Sequence, residues 1–477
     1  MKKMMIGLCS AGIVLAASLC QAQTALNPAM TLVKMDEAKQ KEWFTLWDKE
    51  ISGESKGYRT CDREMGEGIA WGMTPIMDGY YYGYMATHDT KYVDMMVDWA
   101  DSLIKRAVKE PDGFVGWPSK GAAGSWVDNL DDWNADSMLS EAMVFRPIVL
   151  LAGEMIKNPA LKEKYRAKGE SYLKLAEQLY EKWVKRGGWR ETGEGGLISV
   201  VMPYGMDPTN QKWIGFDTRN APGHGASHPD NKANEVARWM LAMWDVTGKP
   251  EYKDHAERWF KVQKSRMKLK SDGTYEIWNY WQPAGPWDYK PDGSPKHWIG
   301  VHPNGGYYWG DTRAIVAAYE HGVVFDKADI ARLVATAKTS WMDGSPGSAM
   351  TGMAVSVQPA GDKAKAINAC FPNSMTSLPL SAGPGAFSAM VLGVDWDDKA
   401  KQGKIVVMTG AAQTQAARVT LATDKDTKVQ LLRMWHGLVP YDVEIQKNYE
   451  TTEEPNSWAG LSETPHYLML QAELAAK

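Results

Sequence analysis

The sequence has little phenylalanine: 8 Phe stand against 22 Trp and 20 Tyr in 477 residues. A purely apolar core can be built with Phe, whereas rings that carry a polar atom suit surfaces that stay partly in contact with water. Beyond residue 19, no run reaches the roughly 18 apolar residues that a membrane span requires. No basic run accompanies the net charge of −4, which argues against nucleic acid or an anionic membrane as a partner.

The first 22 residues predict a secretory signal peptide. Lys2 and Lys3 precede an apolar run at residues 6–19, and small residues follow it. We therefore expect residues 1–22 to be removed and the remaining chain to be periplasmic or secreted. Lipid anchoring through Cys20 is disfavoured, because a leucine stands before it where a lipoprotein signal needs a small residue.

A unit of two helices recurs along the chain. Each copy has a long apolar helix, a short turn built on Gly or Pro, and a second helix whose polar face is rich in Lys and Glu. The four copies cover residues 66–108, 135–185, 231–267 and 311–341. Such repetition predicts stacked hairpins with the apolar helices inside. The predicted fold is mainly α, an (α/α) toroid or barrel of helical hairpins, with weaker helices at residues 37–51 and 380–392 completing the ring.

The pattern changes near the C-terminus. Short alternating runs such as "KIVVMTG" and "ARVTLATD" predict strands from Lys404 onward, and the final "SETPHYLMLQAELAAK" predicts a helix. We therefore expect three regions: a signal peptide (1–22), an (α/α) barrel catalytic domain (23–395) and a small β-rich C-terminal portion that ends in a helix (396–477).

The loops that enter the apolar helices differ from the turns at their other ends. They are long and rich in Trp, Tyr, His, Asp and Asn, as in "GSWVDNLDDWNADS", whereas turns such as Asn158-Pro159 are short. Long loops within a compact domain are usually functional or disordered, and these contain too many aromatic residues for disorder. Aromatic rings beside polar side chains at a concave surface predict a carbohydrate site. A packing role, in which the rings only pin the loops to the barrel, stays open.

One mouth loop combines histidines with helix breakers. His224 and His228 are four residues apart, but Gly225 and Pro229 interrupt a helix there, and no HExxH motif or Cys pair is present. We therefore expect no metal and no cofactor. A histidine in such a loop fits proton transfer instead, and Tyr280, in "WNYWQPAGPW", fits a second proton-transfer group or a packing role.

These features together resemble the (α/α)-barrel polysaccharide lyases, most closely the family 38 type, which includes alginate and glucuronan lyases. The resemblance covers residues 61–342 and concerns architecture and residue kinds. It implies an enzyme that cleaves a uronic-acid polymer by β-elimination. In that reaction one group neutralises the sugar carboxylate, a base removes the proton at C5, and an acid protonates the leaving oxygen.

The resemblance also implies roles for individual residues. The catalytic set is His224 as base, Tyr280 as acid, and Asn134 and Asn220 as carboxylate neutralisers. The residues expected to bind the polymer are Trp133, Asp217, Arg219, His228, His302 and Tyr308. His228 is the competing base and Asp217 the alternative neutraliser. The chain lacks the Asn-His dipeptide of the helical alginate lyases.

Two other functions stay open. A six-hairpin glycoside hydrolase needs two carboxyl groups that flank the scissile bond. The candidates for such a pair are Asp131, Asp132, Glu235 and Asp311. The other alternative is a glycan-binding protein without catalysis, which needs no His and Tyr set at the mouth.

Overall fold

The computed structural model describes residues 30–120, 134–201, 204–206, 209–210, 212–215, 225–297, 299, 306–341 and 433–476, together with six strands between residues 352 and 421. The described helices are α1 (Glu37–Glu54), α2 (Thr60–Arg63), α3 (Glu67–Thr87), α4 (Lys91–Lys105), α5 (Met138–Lys157), α6 (Pro159–Lys185), α7 (Asp230–Thr247), α8 (Pro250–Arg266), α9 (Gly306–Glu320), α10 (Lys327–Trp341), α11 (Val443–Thr452) and α12 (Gly460–Ala475). Short strands border the helices: β1 (Val108–Lys109), β2 (Val115–Gly116), β3 (Ser119–Lys120), β4 (Asn134–Ala135), β5 (Trp189–Glu191), β6 (Leu197–Ser199), β7 (Tyr204–Met206) and β8 (Trp213–Gly215).

Inner and outer helices alternate along the chain. In α5, 16 of 20 residues are buried, against 8 of 27 in α6, so α5 lies inside and α6 outside. Contacts join the inner helices in the order α12, α3, α5, α7 and α9. A 3-10 turn at His436–Tyr441 packs on α9 and takes the sixth inner position, with α10 and α11 against its outer side. Over the described residues, the predicted (α/α) toroid of hairpins is therefore confirmed.

Capping residues explain the short turns between inner and outer helices. The side chain of Asn158 accepts a hydrogen bond from the backbone N–H of Ala160, and Pro159 opens α6 at the position where a missing N–H costs least. Helix α7 ends at Gly248, whose φ of 70° favours glycine and whose N–H bonds the carbonyl of Trp244. Both turns lie where the repeat predicts them.

The two ends of the described chain close the ring together. The indole N–H of Trp47 on α1 donates to the carbonyl of Leu461 on α12 at 3.0 Å. A Cβ atom at Gly79 of α3 would stand 2.7 Å from the same carbonyl, so this close approach needs glycine. The helix predicted at the C-terminus is confirmed, and it packs on α1 and α3 as an inner helix.

A six-stranded antiparallel sheet lies between α10 and the 3-10 turn in the chain, in the order β10-β9-β14-β13-β12-β11. Its strands are β9 (Gly352–Pro359), β10 (Ile367–Pro372), β11 (Leu378–Ser381), β12 (Ser388–Asp397), β13 (Gln402–Thr409) and β14 (Gln413–Leu421). Strands therefore start well before Lys404.

The helix predicted at residues 380–392 is wrong, because β11 pairs with β12 there, and the Gly383-Pro384-Gly385 segment between them disfavours a helix. The expected domain boundary at residues 395/396 falls within β12, and the division into three regions stays a prediction.

No helix in the described ranges is long and apolar enough to cross a membrane. The predicted signal peptide, residues 1–22, lies outside the described residues.

Candidate active site

The inner helices α3, α5, α7 and α9 run in the same direction, because each is joined to the next through one antiparallel outer helix. Their N-termini therefore gather at one mouth of the toroid. The long loops that precede α5, α7 and α9 end at this mouth, while the short capped turns lie at the opposite end. The mouth is the side on which the sequence concentrates its polar and aromatic loops.

Three aromatic rings meet at the mouth around Tyr280. The Tyr280 ring stands edge-on to Tyr307, with centroids 5.2 Å apart, and edge-on to His297 at 6.1 Å. The carbonyl of Tyr280 accepts a hydrogen bond from the backbone N–H of Asp230, which holds this segment to the first residue of α7. All three rings are partly exposed, so a ligand at the mouth can reach them.

An ion pair lies within electrostatic range of these rings. Lys232 in the first turn of α7 binds both carboxylate oxygens of Glu67 in the first turn of α3, at 2.8 and 2.9 Å. Burial, and then the Lys232 charge, lower the pKa of His297 to about 4. Burial, and then Tyr307 and Glu67, raise the pKa of Tyr280 well above its ordinary value. At neutral pH the mouth therefore holds a neutral imidazole and a neutral phenol.

Buried ion pairs connect three inner helices below the mouth. Arg146 on α5 binds Asp78 on α3 at 2.6 and 2.7 Å. Its Nε lies 3.9 Å from Glu235 on α7, and Arg238 binds the other oxygen of Glu235 at 2.8 Å. All four side chains are at most 9% exposed. The two arginines and the two carboxylates balance in charge, and their pairing fixes the spacing of the three helices.

A third arginine, Arg313 on α9, differs from these two. It is 9% exposed and its guanidinium lies 4.5 Å from the centroid of the Trp309 ring. No carboxylate of the described residues lies within ion-pairing distance of it. Burial, and then Arg313 and Arg238, lower the pKa of His466 to about 3, which keeps that imidazole neutral. Arg313 is thus a positive charge inside the ring that forms no ion pair within the described part of the chain.

Two of the four carboxylate candidates for hydrolysis lie in the described part of the chain. Asp311 accepts hydrogen bonds from Asn234 at 2.6 Å and from the indole of Trp278 at 2.8 Å. Burial, and then the charge of Asp230, raise the pKa of Asp311 to about 8. The second oxygen of Glu235, Oε2, is buried and has no hydrogen-bond partner among the described residues.

The predicted residues that the structure describes lie in different surroundings. His228 is 3% exposed, and its Nδ1 is 2.9 Å from the hydroxyl of Ser199. Burial, and then Lys232, lower the pKa of His228 to about 3, so it is a weak base. Tyr308 is buried and donates its hydroxyl to the carbonyl of Trp278. Asn134 lies on β4 and pairs with β3 and β7.

Of the predicted set, the structure brings Tyr280 and His228 to the start of α7. His228 stands two residues before Asp230 in the chain, and Tyr280 accepts the backbone hydrogen bond of Asp230. Eight further predicted residues lie outside the described residues: Asp131, Asp132, Trp133, Asp217, Arg219, Asn220, His224 and His302. Their roles stay predictions.

Sequence reasoning missed Glu67, Lys232, His297 and Arg313. Glu67 and Lys232 each occupy the first turn of an inner helix, directly after a mouth loop. That position is a signal the repeat already offered, because the first turns of inner helices line the mouth. The burial of Arg313 without a carboxylate partner among the described residues, in contrast, has no counterpart in the local sequence.

No protein-family model matches the chain. No curated protein matches it either.

Several solved structures are similar over much of the chain. A family 76 glycoside hydrolase from a bovine Bacteroides thetaiotaomicron strain matches with a TM-score of 0.41 and 13% identity, covering 92% of this chain and 77% of that one. The family 76 α-1,6-mannanase of Salegentibacter sp. HEL1_6 matches with a TM-score of 0.40 and 12% identity, covering 91% and 100%.

A cellobiose 2-epimerase from Bacillus thermoamylovorans B4167 matches with a TM-score of 0.37 and 13% identity, covering 63% of this chain and 71% of that one. At TM-scores below 0.5, these similarities do not decide the activity of this chain. The toroid itself is established by the contacts between its inner helices.

Proposed function

We propose that this protein is an enzyme that cleaves a carboxylated polysaccharide at the mouth of its toroid. The observation that carries the proposal is Arg313, a nearly buried guanidinium that stacks on Trp309 and forms no ion pair among the described residues, the Glu463 carboxylate being within electrostatic range only. An arginine fork matches the geometry of a carboxylate, and an aromatic plane beside it suits a sugar ring. A uronic-acid unit supplies both groups.

The proton-transfer groups at the mouth favour β-elimination as the reaction. A base takes the proton from C5 of the uronate, and the electron pair of the broken C5–H bond forms the C4=C5 double bond. The C4–O bond then breaks, and its electron pair leaves with the oxygen, which the acid protonates. Tyr280 is the proposed acid, because its phenol is protonated at neutral pH and lies at the mouth, where it can donate to the leaving oxygen. His224 is the base predicted from the resemblance; His297 lies in ring contact with Tyr280, but its pKa of about 4 makes it a weak base, and the same holds for His228 with a pKa of about 3.

Glycoside hydrolysis is the second candidate, and the raised pKa of Asp311 favours it. A carboxyl group with a pKa of about 8 holds its proton at neutral pH, as the general acid of a glycosidase must. Against this role, both oxygens of Asp311 already accept hydrogen bonds from Asn234 and Trp278. Asp131 and Asp132 remain candidates for the pair on sequence alone.

A substrate panel separates these functions. The purified protein is incubated with alginate, glucuronan and a neutral mannan, and two quantities are followed: new reducing ends and the ultraviolet absorbance of a C4=C5 double bond. Both signals on a uronate polymer support β-elimination. Reducing ends without the absorbance support hydrolysis, and binding without either signal would contradict an enzymatic function.

Arg313→Gln tests the residue on which the proposal depends. We expect kcat/KM on a uronate polymer to fall by roughly 10- to 100-fold, the effect of losing a charged hydrogen bond of about 1.5–3 kcal/mol. Arg258→Gln is the matched control, because Arg258 lies on outer helix α8 and binds Glu191 at 2.9 Å. Equal rates for both variants would contradict the role of Arg313.

A further inference from the structure

Three ionisable side chains from separate segments meet where the ring closes. His436 opens the 3-10 turn, Glu453 follows the last residue of α11, and Glu463 lies in the first turn of α12. One ligand atom from each lies within 4.8 Å of the other two, and all three residues are buried. The cluster includes none of the mouth groups, and metal binding to it can be measured without an activity assay.

Several polar atoms of this cluster have no partner in the described part of the chain. His436 Nδ1 lies 2.7 Å from Glu463 Oε2 and 3.9 Å from Glu453 Oε2. Among the described residues, neither oxygen of Glu453 has a hydrogen-bond partner, although its side chain is only 1% exposed. Within the same ranges, Nε2 of His436 and Oε1 of Glu463 also lack partners. Two buried carboxylates side by side repel each other unless a positive group lies between them.

The surrounding protein supplies only part of the positive charge that two carboxylates need. The hydrogen bond of Arg433 goes to the hydroxyl of Ser457 at 3.2 Å, and its Nε has no partner in the described part of the chain. The charges of Arg433 and Arg313 act on Glu463 only after that of His436. Among the described residues, neither guanidinium forms an ion pair with Glu453, and the imidazole of His436, 3.9 Å from Glu453, already binds Glu463.

We infer that His436, Glu453 and Glu463 bind a divalent transition-metal ion of the Zn²⁺ class. One imidazole nitrogen with two carboxylate oxygens is a donor set that Zn²⁺ accepts, with a fourth position left for water. Ca²⁺ and Mg²⁺ fit less well, because they prefer six or more oxygen ligands. Tetrahedral ligands at Zn²⁺ stand about 3.3 Å apart, so the His436–Glu463 contact has to widen by about half an ångström.

Such an ion would join the 3-10 turn, α11 and α12 at the one inner position of the described ring that lacks a full helix. The turn also supports the proposed active site: a Cβ atom at Gly437 would stand 3.0 Å from the backbone N of Arg313. Metal binding is therefore expected to stabilise the closure of the ring and the wall that carries Arg313.

The test uses the full chain, stripped with a chelator and then titrated with Zn²⁺, Mn²⁺ or Ca²⁺ by calorimetry, with thermal unfolding followed in parallel. We expect Zn²⁺ to bind at one equivalent and to raise the Tm, since an ion that binds only the folded state stabilises it. Glu453→Gln should weaken Zn²⁺ binding by at least about tenfold. It should still fold, because the change removes an unpartnered buried charge.

Glu444→Gln is the matched control. Glu444 lies on α11, the helix that Glu453 follows, and its side chain is 50% exposed and pairs with Lys338. Its Zn²⁺ affinity should equal that of the wild type. The assignment is overturned if no ion binds, if Ca²⁺ saturates the protein and Zn²⁺ does not, or if Glu453→Gln and Glu444→Gln bind Zn²⁺ equally well. In the first case the cluster holds a proton in place of a metal.

Discussion

A buried lysine on outer helix α6 holds the entrance of α5 in place. Lys182 is 0% exposed, and its ammonium donates to Asp136 at 2.9 Å, to Glu141 at 2.5 Å and to the carbonyl of Val115 at 2.9 Å. Burial opposes the ionisation of Asp136, yet Lys182 holds its pKa down to about 2. Burial raises the pKa of Glu141 to about 7 despite the same lysine. Lys182 shares this task with Arg186, whose guanidinium also binds Asp136 at 2.9 Å.

Replacing Lys182 with Met keeps most of the side-chain volume and removes the charge. We expect a loss of about 3–5 kcal/mol in the free energy of unfolding, the cost of leaving one partner of a buried ion pair uncompensated. Without Lys182 the pKa of Asp136 rises, although Arg186 still binds it at 2.9 Å, and the pKa of Glu141 rises further, so the folded variant binds more protons than the folded wild type. The stability deficit of the variant should therefore grow as the pH rises from about 4 to 8.

Urea unfolding followed by tryptophan fluorescence measures this loss, with Lys185→Met as the control on the same helix. The Lys185 side chain is 61% exposed and pairs with Glu181 at 3.4 Å, so its removal should cost less than about 1 kcal/mol. Equal stabilities of the two variants, or a deficit of Lys182→Met that shrinks as the pH rises, would refute the reasoning.

Three further predictions concern pH, packing and catalysis. The pKa of His228 is about 3 in the folded protein and 6.5 in the unfolded chain. Between pH 7 and pH 5, the free energy of unfolding of the wild type, measured in urea, should therefore fall by about 2 kcal/mol more than that of His228→Gln. Equal losses would show that His228 is not buried as a neutral imidazole. Gly437→Ala should lower the free energy of unfolding by about 1–3 kcal/mol, because the new Cβ meets the α9 backbone. Gly53→Ala has open space around its Cβ and should not lower the Tm. A Tm lowered more by Gly53→Ala than by Gly437→Ala would contradict the packing of the turn. Tyr280→Phe should lower kcat by roughly 10²–10⁴-fold with a smaller change in KM, as initial rates would show, and an unchanged kcat would exclude Tyr280 as the acid.

Local signals were sufficient to predict the hairpins. The predicted unit at residues 135–185 appears as α5 and α6, and the Asn158-Pro159 turn falls between them because capping is decided by neighbouring residues. The sixth inner position could not be predicted in this way. A 3-10 turn fills it, and α12 closes the ring through contacts with α1 and α3, far away in the sequence.

The candidate site was predictable only in part, for the same reason. Tyr280 was predicted from its loop and lies at the mouth, but the Glu67–Lys232 ion pair joins residues 165 positions apart. No local pattern indicates that such residues meet. Likewise, Arg313 was not distinguishable from other helical arginines until the structure showed that it has no carboxylate partner among the described residues.

The recognition of a sugar carboxylate at Arg313 is tested most directly with one polymer in two forms, native glucuronan and glucuronan whose carboxyl groups are reduced to alcohols. Binding of both forms is measured by calorimetry for the wild type and for Arg313→Gln. We expect the wild type to bind the native form roughly 10- to 100-fold more tightly and the variant to show little preference, since only the charged form offers Arg313 a partner. Equal binding of both forms by the wild type, or an unchanged preference in the variant, would contradict the account.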